Sequence, residues 1–232
     1  MACISFGIVK INNQYFAILT GDIVKSSKLK SKDREKLSKI LLRTSKYLKD
    51  IFAYNIPSNI DIFRGDSWQL FVTKPEISLR IALMLRAFLK IHMKNPKIDT
   101  RIAIGIGTID FVQKNKISSG DGEAFRISGL HLEEMPKEYN ITIAFSENIK
   151  NNLTKSLDII SKLIDYHIKN WTIQQARAVS GALRNHTQKQ IAKDIFQSSI
   201  TQQAVADHLN KAGWTYIQLA LDFYEESVRN LL

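Results

Sequence analysis

Hydrophobic and polar positions change period several times along this chain. Residues 14–24 form a nearly continuous run of Ile, Leu, Val and aromatic side chains, the pattern of a buried strand. Over residues 32–54, Leu37, Ile40, Leu41, Thr44, Leu48 and Ile51 recur near helical spacing, and basic residues take the other face. Residues 59–65 and 67–73 read as two strands of a hairpin, with Gly65-Asp66 as its turn signal. Pro75 opens a second helix reaching about Met93, apolar through Ile77, Ile81, Leu85 and Leu89. Residues 99–110 read as a further strand; Gly105 and Gly107 inside it predict close approach by a neighbour or ligand. A helix over 121–135 and a strand over 140–146 follow.

The order is β-α-β-β-α-β-α-β. Its first six elements are those of a ferredoxin-like or palm unit, an antiparallel sheet covered by helices on one side. Beyond residue 146 the pattern is helical throughout: a long helix over 147–170, then shorter ones over 172–184, 187–197, 201–212 and 214–231. The expected fold is α+β, divided into a sheet domain at 1–146, a connecting helix at 147–170 and an all-α domain at 171–232. No internal repeat is present.

Composition narrows the class. Apolar residues make up 44 % of the 232, enough for a sizeable core. Four prolines and ten glycines exclude collagen-like and low-complexity chains. No apolar run approaches a membrane span, so no membrane partner is expected. Met1 to Val9 is mildly apolar without a basic start; it reads as a strand or arm, not a signal peptide. The single cysteine, Cys3, excludes an internal disulfide and a cysteine-rich zinc site, and the default compartment is the cytoplasm.

The net charge of +11 points to a polyanionic partner. Up to Phe145 there are 23 Lys+Arg against 14 Asp+Glu, a net +9; beyond it the balance is 10 against 8, a net +2. The densest basic stretch, Lys25 to Lys49, starts directly after Asp22. Lys25, Lys28 and Lys30 there suit phosphate, while most of the stretch reads as a solvated helix face.

The candidate chemistry centres on two acids. Asp22 ends the first strand and Asp66 lies in the following hairpin. Carboxylates from adjacent strands can bridge Mg²⁺ or Mn²⁺, which then grips a nucleoside triphosphate or other nucleotide. Singly, each acid also fits a loop or turn role. Asp121, between Gly120 and Gly122, either lines such a site or serves a turn. Trp68 either stacks on a base or is buried in the sheet. The five histidines show no metal-ligand pairing, and no Walker lysine motif or nucleophile elbow occurs.

Residues 187–214 resemble a helix-turn-helix. Thr187 and Thr201 can cap its helices, and Ile191, Ile195, Val205 and Leu209 can anchor them. Ala192 is small enough for a close crossing. The second helix offers Gln202, Gln203, Asp207 and His208 outward, and glutamine can read adenine in the major groove. Thr201, Gln202, Gln203, His208 and Lys211 are the candidate DNA contacts. The turn lacks the usual glycine, is roughly three residues longer than the compact form, and little positive charge precedes Lys211. DNA and pure helix packing or dimerisation both remain open.

With these residues in place, the first 146 positions resemble the class III nucleotide cyclases. Thr20-Gly21-Asp22-Ile23-Val24-Lys25-Ser26, Arg64-Gly65-Asp66-Ser67-Trp68, the strand from Arg101, and Ser119-Gly120-Asp121-Gly122 with its helix match four motifs in order. The combination with a C-terminal helix-turn-helix is similar to the bacterial SatD-like family. The resemblance implies Asp22 and Asp66 as catalytic metal ligands, with Ile23 completing the metal set. It implies phosphate held by backbone N–H groups from Ile23 through Val24 and Lys25 to Ser26, with Gly65, Asp121 and Arg126 also at the nucleotide. It implies a homodimer as well, since cyclases of this fold place their site between protomers. Other family positions depart. Ile62 stands where the base-selecting lysine belongs, residues 120–135 hold no Asn, Arg126 comes a turn too early, and His131 lies near the expected arginine. Three functions follow: a metal-dependent nucleotide-binding regulator of the SatD type, an active nucleotidyl cyclase or nucleotidyltransferase, or a non-catalytic assembly scaffold.

Overall fold

The computed structural model describes residues 14–24, 26, 31–63, 65–93, 98–113 and 116–232, residues 31–34 in backbone only. The expected N-terminal arm and Lys25, Lys28, Lys30 and Arg64 lie outside the described residues. β1 (Phe16–Ile23) leads to α1 (Ser31–Ile51), then β2 (Asp61–Phe63) and β3 (Ser67–Val72). A 3₁₀ turn at Pro75–Ile77 precedes α2 (Ser78–Met93), and β4 (Thr100–Gly107) follows. A short hairpin, β5 (Phe111–Gln113) and β6 (Lys116–Asp121), comes next, then α3 (Glu123–Glu133) and β7 (Ile141–Phe145).

Five strands make one mixed sheet in the order β2-β3-β1-β4-β7. The first four are antiparallel neighbours, and β7 joins β4 in parallel through α3. The order β2-β3-β1-β4, with its two split β-α-β crossovers, is that of a ferredoxin-like unit. β1 sits between two neighbours and is buried on both faces, which is why its first half, Phe16 to Leu19, is continuously apolar and not alternating.

Helices cover both faces, not the one expected. Ala17, Leu19 and Ile104 turn to the core that holds α1 and α2. On the other face the Thr20 and Ser128 hydroxyls hydrogen-bond at 2.8 Å, which seats α3 across β1 and β4. The glycines of β4 answer to this helix: a Cβ on Gly105 would sit 2.7 Å from the Ser128 amide nitrogen. The β5–β6 hairpin closes the same face over Phe16, Ile18 and Phe71. Its short strands carried too little alternation to be read from sequence.

The remaining chain is helical: α4 (Asn152–Lys169), α5 (Ile173–Ala182), α6 (Gln188–Gln190) continued by a π turn at Ile191–Ile195, α7 (Gln202–Lys211) and α8 (Trp214–Leu231). The expected helix over 147–170 is broken, since Asn151 caps α4 through a capping box with Thr154. No described helix is long and apolar enough to cross a membrane.

α2 is buried on almost every side because α1 packs on one flank and α5 on another. The hydrophobic core accordingly runs unbroken from Leu83 and Leu85 to Val179 and Leu221. Polar contacts cross the same boundary: Arg80 Nε donates to Glu225 at 2.5 Å, and the Ser78 and Tyr224 hydroxyls meet at 2.8 Å. The change of pattern at residue 146 marks no break in the core.

Inside this junction lies a buried charge network. Arg86 of α2 is fully buried and donates to both carboxylate oxygens of Asp99 (2.8 and 2.6 Å) and to Asp165 of α4 (2.6 Å). Asp165 also accepts from the Asn140 amide (2.6 Å), ahead of β7, and Asp99 from the Thr100 amide (2.9 Å), at the start of β4. Burial opposes the Arg86 charge, but the two aspartates outweigh it and hold its pKa above the ordinary value. Burial likewise opposes ionisation of Asp99, and Arg86 foremost overcomes it, holding that carboxyl below its usual range. Lys90, 3.8 Å from Asp99, is depressed by burial despite that neighbour.

Three outcomes follow. Gly105→Ala should destabilise by about 1–3 kcal/mol, because α3 backbone must shift; urea unfolding measures it. Arg86→Met should cost about 3–5 kcal/mol, since it removes the guanidinium that two buried carboxylates share. The folded-state pKa of Asp99 lies below its unfolded value, so its contribution is complete above about pH 4 and is lost as pH falls through the folded value. Acid unfolding of wild type against Asp99→Asn, which lacks this titration, checks the sign.

Candidate functional site

The register of β1 places Asp22 between Ser67 of β3 and Arg101 of β4. Asp66 immediately precedes Ser67, in a turn where Gly65 takes φ +84°, a conformation suited to glycine. Asp22 and Asp66 therefore stand at the same end of two adjacent strands, one register step apart.

Each acid has a partner. Arg101 grips Asp22 with two donors, Nε to Oδ1 at 2.9 Å and Nη2 to Oδ2, with the side chains 28 % and 22 % exposed. The hydrogen bond to Asp22 raises the Arg101 pKa, foremost among its causes. Asp66 Oδ2 accepts from the Ser26 hydroxyl, which ties the loop after β1 to the hairpin. Beneath, Thr100 Oγ1 donates to the Asp22 carbonyl (2.6 Å) and accepts from Trp68 Nε1 (3.0 Å). Trp68 is fully buried and opposite Gly21 in register, so it packs into the core and offers no face to a base.

Other site expectations divide. Ile23 is paired with Thr100 in the sheet and its side chain is buried, so only its backbone can contribute. The Val24 amide, expected at the phosphates, donates to the Asp99 carbonyl at 2.9 Å. Lys25 lies outside the described residues. Ile62 is half-buried against the main core and presents no polar group.

Asp121 and Arg126 do not converge on Asp22. Asp121 Oδ1 accepts from the Gly122 amide and Arg126 Nη1, both at 2.7 Å, and Arg126 lies 3.7 Å from Asp110. Close to these residues, the Ala124 amide donates to the Thr108 carbonyl, just past Gly107, which pairs with Phe16. This is the far end of β1, on the order of 20 Å of extended strand from Asp22. His131 lines a separate cleft of about 240 Å³ between α3, β7 and α4.

The donor set of Asp22 and Asp66 is hard oxygen, which suits Mg²⁺ or Mn²⁺ held by one or two carboxylates with phosphate and water supplying the rest. Among the described residues no group of three or more His, Cys, Asp or Glu could hold a metal. A cation at Asp22 must displace or share it with Arg101. The Arg101–Asp22 pairing escaped sequence reading because it depends on β4 lying next to β1 in one register.

In the helical part, Thr201 caps α7 by accepting from the Ala204 amide (3.2 Å), and Gln202, Gln203 and Lys211 are exposed. His208 is half-buried and stacked on Phe196, with centroids 6.1 Å apart. The turn before α7 does without glycine by placing Gln197 and Ser198 at φ +53° and +58°.

No family model matches the sequence. No curated protein matches it either. Among solved structures, one titled as the crystal structure of the guanylyl cyclase Cya2 is similar to this chain at 12 % identity, with a TM-score of 0.36, covering 56 % of this chain and 75 % of that one. At this overlap the likeness adds nothing to the strand order already described.

Ser198→Gly should stabilise by about 1 kcal/mol by relieving the left-handed backbone; a rise in thermal midpoint checks it.

Proposed function

We propose that this chain is a nucleotide-responsive regulator of the SatD type. Its cyclase-like sheet unit binds a nucleotide through Mg²⁺ or Mn²⁺ at Asp22 and Asp66, and its helical part acts on DNA or on a second copy. The placement of the two carboxylates at one end of adjacent strands, within a ferredoxin-like strand order, carries this reading. The bound cation would supply charge to hold the phosphates. Asp22 and Asp66 would hold the cation. Arg101, freed from Asp22, would turn its planar fork to a phosphate oxygen, a task to which guanidinium is suited. Ser26 and Gly65 would border the same phosphates.

Binding is favoured over fast turnover. The family's base-selecting position is apolar at Ile62, residues 120–135 hold no Asn, and Arg126 comes a turn too early. Groups that stabilise a transition state are each worth a few kcal/mol, and their absence here argues against an efficient cyclase. In the helical part, Thr201 with Gln202, Gln203, His208 and Lys211 would form the DNA-facing side of α7. Homodimerisation and a cytoplasmic setting complete the proposal.

The test is Mg²⁺-dependent binding of fluorescent nucleoside triphosphates. Asp22→Asn and Asp66→Asn should each weaken binding by at least about tenfold, the scale of a lost charge-assisted contact, with unchanged circular dichroism. Arg101→Gln should weaken the nucleotide while sparing direct Mn²⁺ binding, because it removes a competitor for Asp22. Equal nucleotide affinity in folded Asp22→Asn sinks the reading. A cyclic product from any triphosphate with Mn²⁺, lost in Asp66→Asn, would make the protein an enzyme instead.

A further inference from the structure

A cleft of about 510 Å³ lies where α1 and α2 meet α5 and the π turn. Its volume falls within the range of small-molecule sites, and such sites favour junctions between packed units. One wall is an aromatic array. Tyr47 meets Phe88 edge-on at 4.3 Å, and Phe88 stacks on His92 at 5.5 Å with planes 7° apart. The facing wall carries Ile173, Ile195 and Arg177.

Arg177 is the informative group. It donates to the Ile195 carbonyl at 2.6 Å and lies 4.4 Å over the Phe196 ring, but forms no ion pair with a carboxylate among the described residues. Arg184 reaches the same region and donates to the Tyr47 hydroxyl at 2.8 Å. Arg43 lies near enough to act on His92: burial first, and then this positive charge, lower the His92 pKa and keep its ring neutral for stacking. In the cleft lining itself Arg177 is the cation and Asp194 the carboxylate, and the two form no ion pair with each other.

We infer that this cleft is a binding site for a small planar aromatic anion, its ring laid against Phe88 and His92 and its acid group met by Arg177. The aromatic wall supplies a flat apolar face, and the arginine supplies a charge that no carboxylate among the described residues neutralises in an ion pair. An occupant would touch α2 and α5 together, and so would bear on both the sheet unit and the helical part. The inference is independent of nucleotide binding at Asp22 and Asp66.

Fluorescence titration of the full chain with 1-anilinonaphthalene-8-sulfonate tests it, beside the uncharged N-phenyl-1-naphthylamine. The expected result is saturable binding of one sulfonate probe per chain, tighter than the neutral one. Arg177→Gln should weaken the sulfonate probe about tenfold and leave the neutral probe unchanged. Arg177→Lys, which keeps the charge, should recover most of the loss. His92→Ala, at a half-buried position on the rim of the core, should weaken both probes. Equal affinity for the two probes in wild type, or undiminished sulfonate binding in both folded Arg177→Gln and His92→Ala, overturns the inference.

Discussion

Arg86 fixes the relation of four pieces of chain. Its guanidinium, on α2, spans Asp99 at the head of β4 and Asp165 on α4, while Asp165 in turn holds the backbone ahead of β7. A buried ion is tolerated only when every partner is in place, so this cluster admits one arrangement of these elements and penalises the rest. The site depends on it at one remove. Asp99 also accepts the Val24 amide through its carbonyl, which sets where the chain leaves β1 just after Asp22. Position of the candidate ligand and specificity of the core thus share one anchor.

Much of the fold was legible in the sequence because burial writes itself as periodicity. β1, buried on both faces, opens as an apolar run from Phe16 to Leu19; α1, with one wet face, reads as a stripe. The two glycines of β4 announced a close neighbour, which proved to be α3. What stayed hidden was non-local. That α3 crosses the opposite face from α2 follows from the Thr20–Ser128 contact, a pairing 108 residues apart. The β5–β6 hairpin is too short to show a period.

The candidate site divides along the same line. Asp22 and Asp66 stood out because their flanking strands and turn glycine are local signals. Arg101 gave no sign, since nothing near it in the chain points to Asp22. Asp121 looked like a site residue for a local reason, its two flanking glycines, and the fold gives those glycines structural work: Gly122 runs against Ile109 and Asp110, and Gly120 against Phe125.

A helix buried on almost every side belongs to neither half of a protein. α2 lends one flank to the sheet unit and another to α5, so neither part can swing away without opening the core to water. Communication across this junction would therefore take the form of shared stability: whatever tightens the packing at one end of α2 raises the cost of loosening it at the other, and the message is a change in population with little change in shape.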